Sequence, residues 1–304
     1  MRYIMGISLE YGERDSTPLT LMALVVTSIL CFFAFFQWEL FFLIENSVSK
    51  SHTSWAPLEV VTIWRFVCFL LGVSAVVYML RTGPGIMPVL LHKERSETIL
   101  HPVGLENLVT FSSWNLLINI LYFLFSGIIS LSILSGNEVP LWLDATRIIF
   151  FSTALGASFL TTTIVRFIIL PEEVRVGRNH GNLFNFQNQL MHNFAAIFLA
   201  IEIILIQPKL HPEFAVFGLL FGLIYTIFAY IFAFYGGGYY AYDFIDPRLK
   251  FAPLLMSGLA AAIAIFYLGL WALSQLLSYN LLIGTIALGV WVSIIVQFRS
   301  KLPK

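Results

Sequence analysis

The chain has 304 residues, 59% of them hydrophobic and 11% charged, with a formal net charge of zero and a mean hydropathy of +0.85. A soluble domain usually carries about 25% charged residues, so this composition excludes a water-soluble globule and calls for a bilayer as solvent. The balanced charge also argues against nucleic acid as a partner, which would require a basic footprint.

The N-terminal stretch MRYIMGISLEYGERDSTPLT does not read as a cleavable signal, because Glu10, Glu13 and Asp15 interrupt its apolar run. The long apolar stretch starts at Leu19, and the first span is expected to be retained as an anchor. A helix crossing about 30 Å of hydrocarbon needs roughly 20 apolar residues. Eight windows qualify, near 19–44, 58–80, 108–134, 147–170, 186–207, 213–235, 252–276 and 280–298. The expected fold is therefore all-α, a polytopic transmembrane helical bundle of about eight spans. The last two windows are joined by a very short link near Ser278–Asn280 and should form a hairpin. Cys31 and Cys68 fall inside spans without metal-ligand spacing.

With eight spans, the termini and the loops at 81–107, 171–185 and 236–251 share one side. Together they hold 12 Lys and Arg residues, from Arg2 to Lys304, against Lys50, Lys209 and Arg147 opposite. The positive-inside rule then puts both termini on the cytoplasmic side, or its equivalent in an organelle.

Ionisable residues within spans are costly and mark sites or ion pairs. Arg65 is expected to pair with Glu59 or Glu39 at neighbouring helix ends, and Arg166 to snorkel to the surface along its stem. His192 lies about six residues inside the fifth span, with Asn188 at i−4 on the same helical face. Glu202 is ten residues further on, about 15 Å deeper. It cannot touch His192, and should be neutral or paired with another helix.

The third span opens with Thr110, Ser112, Ser113, Asn115 and Asn119, residues that commonly hydrogen-bond within and between membrane helices. Thr110 and His192 enter from the same side, at depths matching to roughly 5 Å. A hydroxyl and an imidazole at matching depth meet the minimum requirement for a nucleophile and its base. The loop GGGYYAYDFIDPRLKFAP, with Tyr242, Asp243 and Asp246, converges on that side as well. No metal-ligand spacing links these acids to His192, and neither metal nor cofactor is expected.

Taken together, VTFSSWNLLINILYF, NQLMHNFAAIFLAIEII and YAYDFID resemble the androgen-induced family of multi-span membrane proteins, which includes the androgen-dependent TFPI-regulating protein. The likeness covers roughly residues 105–275. It divides the chain into 1–104, with two extra spans, and 105–304, a six-span core. The resemblance implies an intramembrane threonine hydrolase cleaving fatty acid esters of hydroxy fatty acids, with Thr110 as nucleophile and His192 as general base. Asn188 or Asn193 would donate to the oxyanion, and Tyr242, Asp243 and Asp246 would support the site. Gln189, Asn193 and Asp243 depart from the family pattern, which has histidine, threonine and proline there. The implied partners are membrane lipids and a lipid ester substrate.

The alternative is a non-catalytic structural subunit of a large membrane complex, partnered by other membrane subunits, that keeps the fold without the chemistry. A transporter would call for a midspan acid series, an internal repeat or paired helix breakers, and none is evident.

Overall fold

The computed structural model describes residues 3–4, 7–48, 55–83 and 85–299. The described residues form an all-α bundle in which seven helices are long and apolar enough to cross a membrane. After the short antiparallel pair β1 (Tyr3–Ile4) and β2 (Ile7–Ser8), α1 spans Thr17–Gln37. The first apolar window, 19–44, is two helices rather than one. Glu39 adopts φ 47°, a left-handed conformation that breaks the chain before α2 (Leu40–Val48).

Pro57 precedes α3 (Leu58–Arg81), and Pro140 precedes α5 (Leu141–Ile164); a residue with no amide hydrogen costs nothing at a helix start. Between them, α4 (Phe111–Leu134) is capped by the Thr110 side chain. α5 runs on through a π turn at Val165–Ile169 into α6 (Leu170–Arg175), 35 residues in all. Pro171 explains the wide turn: its ring would clash with the Phe167 carbonyl in a regular α-helix, and it has no N–H for that carbonyl to accept. The fifth span is also interrupted. α7 (Phe186–Gln189) passes through a π turn at Leu190–Phe194 into α8 (Ala195–Ile206).

α9 (Ala215–Tyr235) and α10 (Ala252–Tyr279) complete the long helices. α11 (Leu281–Ile295) forms the expected hairpin with α10, with Asn280 accepting from the Ile283 N–H as its cap. Its 15 residues make roughly 22 Å of helix, short of a full bilayer core.

The polar loops gather at one end of the bundle. β3 (Met87–Leu91) pairs antiparallel with both β4 (Glu97–Leu100) and β5 (Tyr239–Tyr240), so the loop after α3 and the loop after α9 share a sheet. Tyr11 bridges Leu249, Arg178 reaches Glu97, and the Gln297 backbone meets Asn193 at the same end. Arg166 does not lie free at a surface: its guanidinium donates to the Val296 carbonyl and lies over Phe167.

Arg65 pairs with neither Glu39 nor Glu59. Its Nε and Nη2 both lie 2.7 Å from Glu202 Oε1, which also accepts from the Tyr122 hydroxyl at 2.8 Å. Nη1 donates to the Ser126 carbonyl and to Ser130. This cluster joins α3, α4 and α8, so the second span is built into the same core as the later ones.

Candidate functional site

Thr110 sits where a 3-10 turn (Gly104–Val109) gives way to α4, with extended backbone at φ −87° and ψ 150°. Its Oγ1 accepts from the Ser113 N–H at 3.2 Å, satisfying one of the amides left orphaned at the helix start. The same Oγ1 lies 2.8 Å from Ser113 Oγ. Ser113 Oγ donates to the Asn107 carbonyl at 2.7 Å. A hydroxyl has one proton, so Thr110 is the donor in its contact with Ser113. The Tyr242 side chain closes over this point. Burial pushes its phenol upward from the ordinary tyrosine range, and hydrogen bonding to Ser112 and, less, to Thr110 opposes that shift.

His192 lies in the second π turn, where Ala195 N–H bonds the Leu190 carbonyl five residues back. The ring is 7% exposed, and its buried Nδ1 has no hydrogen-bond partner. A buried polar atom without a partner is uncommon and marks this imidazole out. Thr110 and His192 both line a space of about 370 Å³, with mixed polar and apolar walls, bordered by β3 and β4. They share it without a mutual hydrogen bond: the threonine proton points to Ser113, and the imidazole Nδ1 is unused. Both π turns contribute walls, through Ile168 and Ile169 from one and Met191 and His192 from the other. Such turns re-aim side chains that a regular helix would direct elsewhere.

The supporting residues divide. Asn188 lines the cavity and donates one amide hydrogen to the Asn182 carbonyl at 2.7 Å. Tyr242 and Asp243 line it too. Asn193 does not: its Nδ2 is held by Gln189 Oε1 at 2.7 Å and by the Gln297 carbonyl at 2.8 Å. One extra residue in the π turn rotates it toward the C-terminal segment, so an oxyanion role for Asn193 is corrected. Asp246 is likewise elsewhere. It is fully buried and clasped by Arg248, with Nη2 at 2.6 Å and Nε at 2.8 Å, and by the Tyr11 hydroxyl at 2.9 Å. It anchors the N-terminal segment and does not orient the imidazole.

Sequence reasoning missed the cavity's rim, where Arg178 bridges Glu97 at 2.7 Å and Glu173 at 2.8 Å. Arg178 and Glu97 are 81 positions apart, and no local pattern announces their meeting. It also missed a second compartment. A slot of about 90 Å³, overwhelmingly apolar, lies among α1, α5, α9 and α10. It shares Ser112, Ile169, Tyr242 and Phe244 with the polar cavity.

Comparison with known protein families, with curated proteins and with solved structures returns no match for the chain. Among the described residues, no group of three or more His, Cys, Asp and Glu side chains lies together as a metal site. The chemistry present is a capped hydroxyl, an unpartnered imidazole, a phenol and an amide around one space next to an apolar slot.

Proposed function

We propose that this integral membrane protein hydrolyses fatty acid esters, with Thr110 as nucleophile and His192 as general base. The observation that carries the reading is the shared cavity: both residues line one space of mixed polarity, and that space adjoins an apolar slot suited to hydrocarbon. Thr110 Oγ1 swings from Ser113 toward His192, gives up its proton and attacks the ester carbonyl carbon. The imidazolium returns that proton to the leaving alkoxide as the ester C–O bond breaks. His192 then deprotonates a water that attacks the acyl-threonine, releasing the fatty acid and restoring the hydroxyl. The second amide hydrogen of Asn188 and the Tyr242 phenol are the donors available to the oxyanion. The positive-inside bias supports a site opening on the cytoplasmic side.

A non-catalytic membrane subunit has one observation in its favour, since Thr110 already serves as a helix cap. Thr110→Asn separates the readings, because asparagine caps at least as well as threonine but is no nucleophile. The hydrolase reading expects normal folding and complete loss of labelling by a serine/threonine-hydrolase probe. His192→Gln should cut ester turnover by about 10²–10⁴. Labelling of Thr110→Asn at the wild-type level would overturn the assignment.

A further inference from the structure

The apolar slot has a floor. At Ile263 on α10, α5 and α9 come very close: a Cβ on Gly156 would lie 2.9 Å from the Ile263 carbonyl oxygen. On Gly218 a Cβ would lie 2.6 Å from Ile263 Cγ2, and on Gly222 2.8 Å from Cδ1. Small residues of this kind let membrane helices approach closely. Ile263 itself is 4% exposed, and its side chain fills the seam where these helices converge.

Toward the polar end the slot runs from Ile263 up to Met256 along α10. That is roughly 10 Å at the helix rise per residue. Its upper end is formed by Ser112, Tyr242 and Phe244, which also line the polar cavity, and Ser112 is two residues from Thr110. α1 supplies the remaining wall through Leu24 and Thr27. It is the least buried of the seven long helices, with 11% of its apolar window covered, so the slot adjoins the bilayer across a thin partition.

We infer that the slot is a chain-length gauge: it takes one unbranched aliphatic chain of a membrane lipid, and Ile263, set by Gly218 and Gly222, decides how much of that chain is accepted. The inference rests on the proposed hydrolase only in making this chain the acyl part of the substrate. A chain entering past Phe244 and ending against Ile263 puts its carbonyl carbon near Ser112 and Thr110. Each methylene that fits inside exchanges lipid contacts for the closer packing of the slot walls and so adds affinity, and those beyond the floor add nothing.

The test uses the full chain in lipid nanodiscs, carrying Thr110→Asn so that binding is read without turnover. Saturated fatty acids of graded length compete with a fluorescent fatty acid. Affinity should rise with length and then level off. Ile263→Ala removes the floor and should move the break to longer chains. Gly222→Ala presses on Ile263 Cδ1 and should move it to shorter ones. Ile263→Val, which loses only that terminal methyl, should shift the break in the same direction as alanine but less far, and keeps the test open if the alanine variant does not fold. A break that stays put in Ile263→Val and Gly222→Ala, or affinity with no break at all, overturns the gauge. The hydrolase reading fails separately, if Thr110→Asn in the otherwise wild-type chain still takes the hydrolase probe.

Discussion

Arg65 on α3 and Glu202 on α8 form a buried ion pair at 2.7 Å, with side-chain exposures of 7% and 0%. Neither charge could remain in hydrocarbon alone. The carboxylate takes both guanidinium contacts and the Tyr122 phenol on one oxygen, Oε1. Removing either partner strands the other, a loss of about 3–5 kcal/mol for a buried pair. Arg65→Met and Glu202→Met should therefore each lower the thermal midpoint in detergent sharply, whereas the double variant should recover much of the loss. Strictly additive single effects in that double-mutant cycle would show that the pair is not coupled.

The glycines of the bundle make opposite forecasts according to what lies opposite them. At Gly156 a methyl would meet the backbone oxygen of Ile263 at 2.9 Å, and backbone cannot turn aside. Gly156→Ala should force α5 away from α10 and cost about 1–3 kcal/mol, as overpacking does. A methyl added to Gly258, also on α10, would meet nothing within 4 Å. There the substitution only restricts the unfolded chain, and Gly258→Ala should leave stability unchanged or raise it by about 0.5–1 kcal/mol. Equal melting shifts for the two variants would contradict the close α5–α10 approach.

His92 offers a pH handle outside the spans. It contacts the Tyr240 hydroxyl through Nδ1 at 3.2 Å and packs against Phe234 in a tilted ring contact at 4.3 Å, holding the end of β3 against β5. Burial, then the cations Arg248, Lys93 and Arg95, hold its pKa below the usual 6.5, while Asp246 opposes them. The folded sheet therefore disfavours the protonated ring. Its contribution to stability is full above pH 6.5 and is lost as pH falls through the lower folded value. Amide exchange at Leu90 and Tyr240 should accelerate on acidification from neutral pH toward 5, and His92→Asn should remove that part of the dependence. An unchanged acid response in the variant would place the titration elsewhere.

Much of the architecture was legible because membrane spans are written locally. Seven of the eight apolar windows contain a helix long enough to cross, and the hairpin at Ser278–Asn280 forms as its short link required. Thr110 and His192, singled out in the sequence as a pair, line one cavity. What was not legible is anything that depends on rotation about a helix axis. Asn193 was placed beside His192 by adjacency, but the π turn at Leu190–Phe194 sends it to Gln297. Arg65 was matched to nearby acids, whereas its partner lies 137 positions away.

By itself, then, the sequence determined the apolar character of the fold, the near-complete set of spans, and the order of polar residues along each span, because hydropathy and helix rise act one residue at a time. Only the tertiary structure decided which of those residues meet. It paired Glu202 with Arg65 of α3, withdrew Asn193 and Asp246 from the site, and opened an apolar slot behind Tyr242. The physical reason is that ion pairs, cavities and helix approaches depend on the relative rotation and spacing of several helices. Those are settled by packing of the whole bundle, at contacts such as Gly156 against Ile263.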